Sequence, residues 1–389
     1  MTILSSPATT HGQGRVTVSR FAYIPPNWFA TVMGTGIVSV AAHAVGGLEF
    51  GGHPLGGGAS VLAGSAVAFW LLACVIFVIV VAATVAHWCA HPEAARAHHT
   101  HPVIAHFYGA VPMATLTVGT STLVAGSAVI GHGAAVVVDV VCFTVGTLGG
   151  VATAILIPMH LLIGRSKTRG GAYGGWLMPV VAPMVSASAA AVLAGSLGSM
   201  GVRRIVLVVG AASFVFSLLL AAPIIVAAVR RLVRTGRGPD VLAPTWWIVL
   251  GPLGQSVTAA CLLAVAAGGV TDESTARLLH EIALGYAIPV WVAAVCWIVV
   301  AGIITTRAVL AGLPFGLTWW SFTFPIGTFV TGSAALVANG GGVGFTLAAV
   351  VGFVLLLGAW LIVAARTVIG VVDGVVLKPP ASPAPHMAR

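Results

Sequence analysis

The chain has 389 residues, 59% of them hydrophobic and only 6% charged, with a formal net charge of +9. A soluble globular domain carries about 25% charged residues, so water is excluded as the solvent for most of this chain. The basic residues are strung through short segments between apolar runs, which also argues against a nucleic-acid partner.

Ten apolar runs are long enough to cross a bilayer, which takes about 20 residues. In chain order they are 26–46, 58–86, 105–131, 135–164, 176–198, 204–229, 246–268, 280–306, 319–339 and 343–372. The second, fourth, eighth and tenth exceed one crossing and are expected to tilt or project. The expected fold is an all-α integral membrane protein of ten transmembrane helices spanning 25–372. Residues 1–24 form an N-terminal segment without the apolar stretch of a secretory signal. Residues 373–389 read as a disordered tail, since they end in PPASPAPHMAR. The five cysteines are scattered and outline no disulfide framework.

Basic residues orient the spans. With the N-terminus inside, 14 of the 17 Lys and Arg fall on the inner side, and only Arg203, Arg204 and Arg277 fall outside. The positive-inside rule therefore predicts cytoplasmic termini in a multi-pass protein of the cell (plasma) membrane.

The odd-numbered helices share a layout. Each opens on an aromatic residue: Trp28, Phe107, Trp176, Trp247 and Trp320, separated by 79, 69, 71 and 73 residues. Proline follows five positions later at Pro112, Pro252 and Pro325, whereas the fifth helix carries Pro179 and Pro183 and the first has none. This period predicts five helical hairpins related by pseudo-symmetry. Proline within a helix frees a backbone carbonyl that lipid cannot satisfy. The odd helices are therefore expected inside, around an axis, with the smoother even helices facing lipid.

These residues resemble a known family. Pro26-Asn27-Trp28-Phe29-Ala30-Thr31-Val32-Met33-Gly34-Thr35-Gly36-Ile37 is similar to the first helix of the tellurite-resistance/dicarboxylate transporter family. His101-Pro102 through Pro112-Met113, Trp176 to Pro183, Gly251 to Ser256, and Trp319 to Pro325 fit the same superfamily, which includes slow-type anion channels, malate transporters and sulfite efflux pumps. The resemblance covers residues from about 20 to 372. It implies ten helices as five hairpins in quasi-five-fold arrangement around a central pore, a homotrimer with one pore per subunit, and transport of small anions. C4-dicarboxylates such as malate lead the implied substrates, followed by sulfite and then chloride or nitrate.

In channel members of the superfamily a phenylalanine on the ninth helix plugs the pore. The Trp-Trp-x-aromatic-Thr-Phe-Pro pattern places that role on Phe324, while a packing role stays open because Phe322 and Phe329 share the helix. The motifs also nominate Gly34, Thr35, Gly36, Pro112, Pro179, Pro183, Pro252, Gln255, Ser256 and Pro325 as pore-lining candidates.

By this segmentation the odd helices hold no Asp, Glu, Lys or Arg; their polar groups are hydroxyls, amides and His43. An anion would meet only dipoles, which suits weak binding and fast release. Arg230, Arg231, Arg234 and Arg237 would concentrate anions at the cytoplasmic mouth, or merely fix topology and touch anionic headgroups. Asp139 and Glu281 lie on even helices and are candidate protonation sites or interfacial acids.

Six of the 13 histidines crowd residues 87–106 beside Cys89. Their spacing matches no closed four-ligand metal site, so no metal is expected, and pH sensing and a solvated loop both stay open. No GxSxG or HExxH constellation is present, so the chain is not expected to be an enzyme and needs no cofactor. A membrane sensor without transport is the remaining alternative.

Overall fold

The computed structural model describes residues 22–50, 53–54, 57–163 and 172–378. Arg165, Lys167 and Arg169, all three expected cytoplasmic, and the sequence beyond Lys378 lie outside the described residues.

Ten helices are long and apolar enough to span a membrane: α1 (Pro26–Gly46), α2 (Gly58–Ala90), α3 (Ile104–Ile130), α4 (His132–His160), α5 (Gly174–Ser196), α6 (Met200–Thr235), α7 (Asp240–Gly268), α8 (Glu273–Leu310), α9 (Leu317–Ala338) and α10 (Val343–Val372). A short helix, Pro92–Thr100, links α2 to α3. Between α1 and α2 stands a small antiparallel hairpin, β1 (Glu49–Phe50) and β2 (His53–Pro54). The even helices α6 and α8 run several residues beyond their expected limits at both ends, because nothing in the flanking sequence breaks a helix.

Burial separates two layers. In the most apolar stretch of each odd helix 67–94% of residues are buried, against 22–28% in each even helix. The even helices expose Val75, Leu148, Val208, Leu219, Val299 and Val354. Such a belt is stable only in hydrocarbon. The odd helices touch in order, α1 on α3, α3 on α5, α5 on α7, α7 on α9, and α9 closes on α1. Close approach in this ring depends on glycine. A Cβ on Gly254 of α7 would sit 2.7 Å from the backbone nitrogen of Phe329 in α9. One on Gly174 of α5 would strike the carbonyl of Thr245 in α7.

Every odd helix opens with a 3-10 turn, and the five repeat aromatics all lie in these turns. Their prolines lie elsewhere than expected. Pro112, Pro179, Pro252 and Pro325 fall in the first turn of the α-helical part that follows. The amides at the junction bond back into the 3-10 turn, as Ala110 N–H does to the Phe107 carbonyl, so a proline here frees a carbonyl of that turn. These prolines mark where 3-10 gives way to α rather than breaking a helix. Pro183 alone of the five is truly interior.

The expected tail begins with an ordered turn. Residues 373–378 fold back on α10, with Val376 buried and its amide donating to the Gly370 carbonyl at 3.3 Å.

Candidate site: a path along the ring axis

The site is built from the faces the odd helices turn to one another. Toward the side away from the chain termini lies a cavity of about 340 Å³. Its wall is a repeated stripe at i, i+3 and i+7: Ile37, Val40 and Ala44 on α1; Thr117, Thr120 and Val124 on α3; Val185, Ser188 and Val192 on α5; Gln255, Thr258 and Leu262 on α7; Thr331, Ala334 and Ala338 on α9. That spacing is one face of a helix. All five odd helices therefore contribute the same kind of face to one chamber. A π-helical segment, Thr122–Gly126, widens α3 beside it.

On the termini side lies a second, far smaller cavity of about 20 Å³. It too draws on all five odd helices, through Met33, Met113, Met178, Ile248 and Trp320 among others. Phe324 is the one described residue that lines both cavities. Its side chain is 3% exposed. It follows Thr323, the first residue of the α-helical part of α9, whose hydroxyl donates to the Trp320 carbonyl at 2.8 Å.

The large chamber is neutral and sparingly polar. Among the described residues its lining includes no Asp, Glu, Lys or Arg. Thr117 donates to the Met113 carbonyl at 2.7 Å, and Thr331 to the Thr328 carbonyl at 3.1 Å, so these hydroxyl protons are bound to the helix's own backbone. The Gln255 amide donates to Ser188 Oγ, and Ser188 donates to the Val185 carbonyl at 3.0 Å. Gln255 Oε1 has no hydrogen-bond partner.

Of the nominated pore-lining residues, Gln255 lines the large chamber and Pro325 the small one. The other eight line neither cavity. Gly34 admits the Trp320 ring, which a Cβ would meet at 2.7 Å. Thr35 accepts from the Trp360 indole of α10 at 3.0 Å. Gly36 faces Thr117, and Pro112 faces Gly149 of α4. Pro183 backs onto Gly150 of α4, and Pro179 packs beneath Gly109. Ser256 donates to the Leu253 carbonyl at 3.0 Å. Pro252 is buried and lines neither cavity. Ser188, Thr258 and Thr331 were not nominated; their i, i+3, i+7 register with Gln255-type positions on each helix was the available signal.

The basic cluster at the end of α6 divides in two. Arg237 pairs with Asp240 at 2.7 Å and donates to the Ile304 carbonyl at 3.4 Å, while Arg231 donates to the Ala172 carbonyl at 3.2 Å. Arg230 and Arg234 are exposed. Asp139 is buried against Gly119 on the flank of α3, off the axis, and Glu281 is exposed.

The histidines between α2 and α3 build a packed corner. His87 stacks on His98 at 5.3 Å, and His99 on Tyr108 at 4.3 Å. His101 Nδ1 accepts from the amides of Val103 and Ile104 at 3.2 and 3.1 Å, capping the start of α3. Among the described residues no three His, Cys, Asp or Glu gather where a metal could bind. Burial and the neighbouring histidines push His98 down to about 4, and burial also lowers His99 and His101.

The sequence model of the voltage-dependent anion channel family matches residues 23–368. An uncharacterized transporter of Methanocaldococcus jannaschii is 27% identical over 313 residues, covering 79% of this chain and 82% of that protein. A sulfite efflux pump of Trichophyton rubrum is 26% identical over 318 residues, covering 80% of this chain and 81% of the pump. Another, from Arthroderma otae, is 25% identical over 350 residues, covering 88% and 89%. With a ten-helix fold and a match over nearly its whole length, the chain belongs to the voltage-dependent anion channel family, whose members carry anions across membranes.

Proposed function

We propose that small anions cross the membrane along the axis of the odd helices and that Phe324 closes the path. The carrying observation is that Phe324 alone is shared by the two cavities on that axis. The orientation of the basic residues supports cytoplasmic termini in the cell membrane, and the family resemblance supports a trimer.

The neutral lining favours an anion of low charge. The cost of moving an ion out of water rises steeply with its charge, and the chamber's lining offers no Lys or Arg to offset it, only His43 near its outer end. A singly charged oxyanion such as bisulfite fits this chemistry, and the sulfite efflux pumps among the relatives support it. Malate-type dicarboxylates are the second reading, favoured by a chamber of about 340 Å³, which is roomier than bisulfite requires.

The test is flux from proteoliposomes loaded with sulfite, malate, chloride or nitrate. The expected result is selective flux that rises on the order of tenfold in Phe324→Ala, as a hydrophobic constriction opens. Unchanged flux in that variant would place the barrier elsewhere. Silence toward every anion in both proteins would overturn the transport reading itself.

A further inference from the structure

A groove of about 870 Å³ opens sideways between α2 and α10, which both pack on α1. It lies toward the end where the chain's termini emerge, since Ile24 and Lys378 both line it. Its walls are apolar: Leu72, Ile76 and Ile79 from α2, and Ala364, Val368 and Val371 from α10. Ile79 and Val368 are among the strongly exposed residues, so the walls continue the belt that faces hydrocarbon. Among the described residues, Lys378 is the only charged one lining the groove. The buried Trp28 indole nitrogen, also in its lining residues, has no hydrogen-bond partner.

An apolar cleft open to a bilayer is filled by acyl chain, because water finds no partners there. The ammonium at the rim selects the headgroup, since a basic side chain near the surface attracts anionic lipid. The groove is too apolar to be a second route for the substrate anion.

Trp320 connects this groove to the pore. It lines the groove and also the small cavity beneath Phe324. Its indole donates to Thr367 Oγ1, another groove residue, at 3.0 Å. Trp320 stands one helical turn before Phe324. Whatever fills the groove therefore rests on a wall of the pore's mouth.

We propose that the groove is a binding site for one anionic phospholipid from the leaflet on the side of the termini, and that this lipid, resting on Trp320, tunes passage past Phe324. Bound lipid is counted by native mass spectrometry of the full chain released from phosphatidylcholine vesicles with or without phosphatidylglycerol. One retained phosphatidylglycerol is expected. Lys378→Gln should weaken its retention about fivefold, and Ala364→Phe, which fills the groove, should abolish it. Lys378 lies beyond the last helix, so its variant tests the site even where Ala364→Phe folds poorly.

A photoreactive phenylalanine analogue at position 368 should capture lipid. Capture of a second copy, or of the chain's own terminal segments, would overturn the proposal, as would equal phosphatidylglycerol retention in wild type and Lys378→Gln. The flux arm rests on the transport reading, while lipid counting does not. Phosphatidylglycerol should change anion flux at least twofold in wild type and not in Lys378→Gln. Retained lipid with indifferent flux would overturn the link through Trp320 and leave anion transport standing.

Discussion

The hydroxyls of Thr258 and Thr331 stand 2.9 Å apart, joining α7 to α9 across the wall of the large chamber. With the Thr331 proton given to the Thr328 carbonyl at 3.1 Å, the Thr258 proton goes across the wall to Thr331. Donors spent on the backbone hold an anion poorly. Gln255, through the amide hydrogen not given to Ser188, and His43 are among the polar side chains left in the wall.

Gln255 variants should therefore change anion handling more than threonine variants. Thr331→Val keeps the shape and removes one hydroxyl, and its flux is expected to stay within about twofold of wild type. Gln255→Glu places a carboxylate in the wall of the chamber and should lower anion flux by on the order of a hundredfold. Proteoliposome flux with both proteins side by side checks this. Equal flux in wild type and Gln255→Glu would remove the chamber from the path.

Substitution at Gly254 should loosen the ring. A Cβ there meets the Thr328 carbonyl carbon and the Phe329 nitrogen, both at 2.7 Å, and backbone cannot rotate away as a side chain can. Gly254→Ala is expected to cost about 1–3 kcal/mol, the usual penalty of overpacking. Gly251→Ala on the same helix, with nothing near its Cβ position, is the control. Thermal unfolding in detergent should separate the two, and equal melting temperatures would refute the close approach.

Acid should loosen the corner between α2 and α3. His98 is held at about 4 in the fold against an ordinary value of 6.5. A histidine with a lowered value binds fewer protons folded than unfolded, so it favours folding above about 6.5 and loses that contribution as pH falls toward 4. His99 and His101 shift in the same direction. Melting temperature should fall between pH 6.5 and 4, and less steeply in His98→Gln. A flat profile in both proteins would show that these rings are not desolvated together.

Exposed arginines at the end of α6 should act through charge alone. Arg230 and Arg234 are exposed, whereas Arg237 is paired with Asp240 at 2.7 Å. Neutralising Arg230 and Arg234 together should lower anion flux about two- to fivefold at low salt and hardly at all at high salt, where screening shortens their reach. A salt-independent loss would mean a folding defect, and no loss would leave them a role in topology alone.

Ten spans and the division into two layers were legible in the sequence, because lipid imposes both locally. Run length decides what crosses, and the proline and glycine layout repeated along the odd helices marks the buried layer, although α4, α6 and α8 each carry one interior proline, Pro158, Pro223 and Pro289. The aromatics of the repeat, Trp28, Phe107, Trp176, Trp247 and Trp320, all lie in the 3-10 turns that open the odd helices. The motif nominates Phe324 as the gate, and its side chain lines both cavities.

Rotation of each odd helix about its own axis was decided only by tertiary structure. These helices are buried on nearly every side, so no polar stripe separates the axis face from the packing faces. Thr35 turns to Trp360, and Ser256 bonds its own helix at Leu253, whereas Ser188, Thr258 and Thr331 turn inward. The prolines taught a similar lesson. A residue count from the aromatic cannot say whether Pro112 or Pro252 interrupts a helix or begins one, because that depends on where 3-10 geometry ends. The sequence alone determined which segments surround the axis; packing across the ring determined which atoms line it.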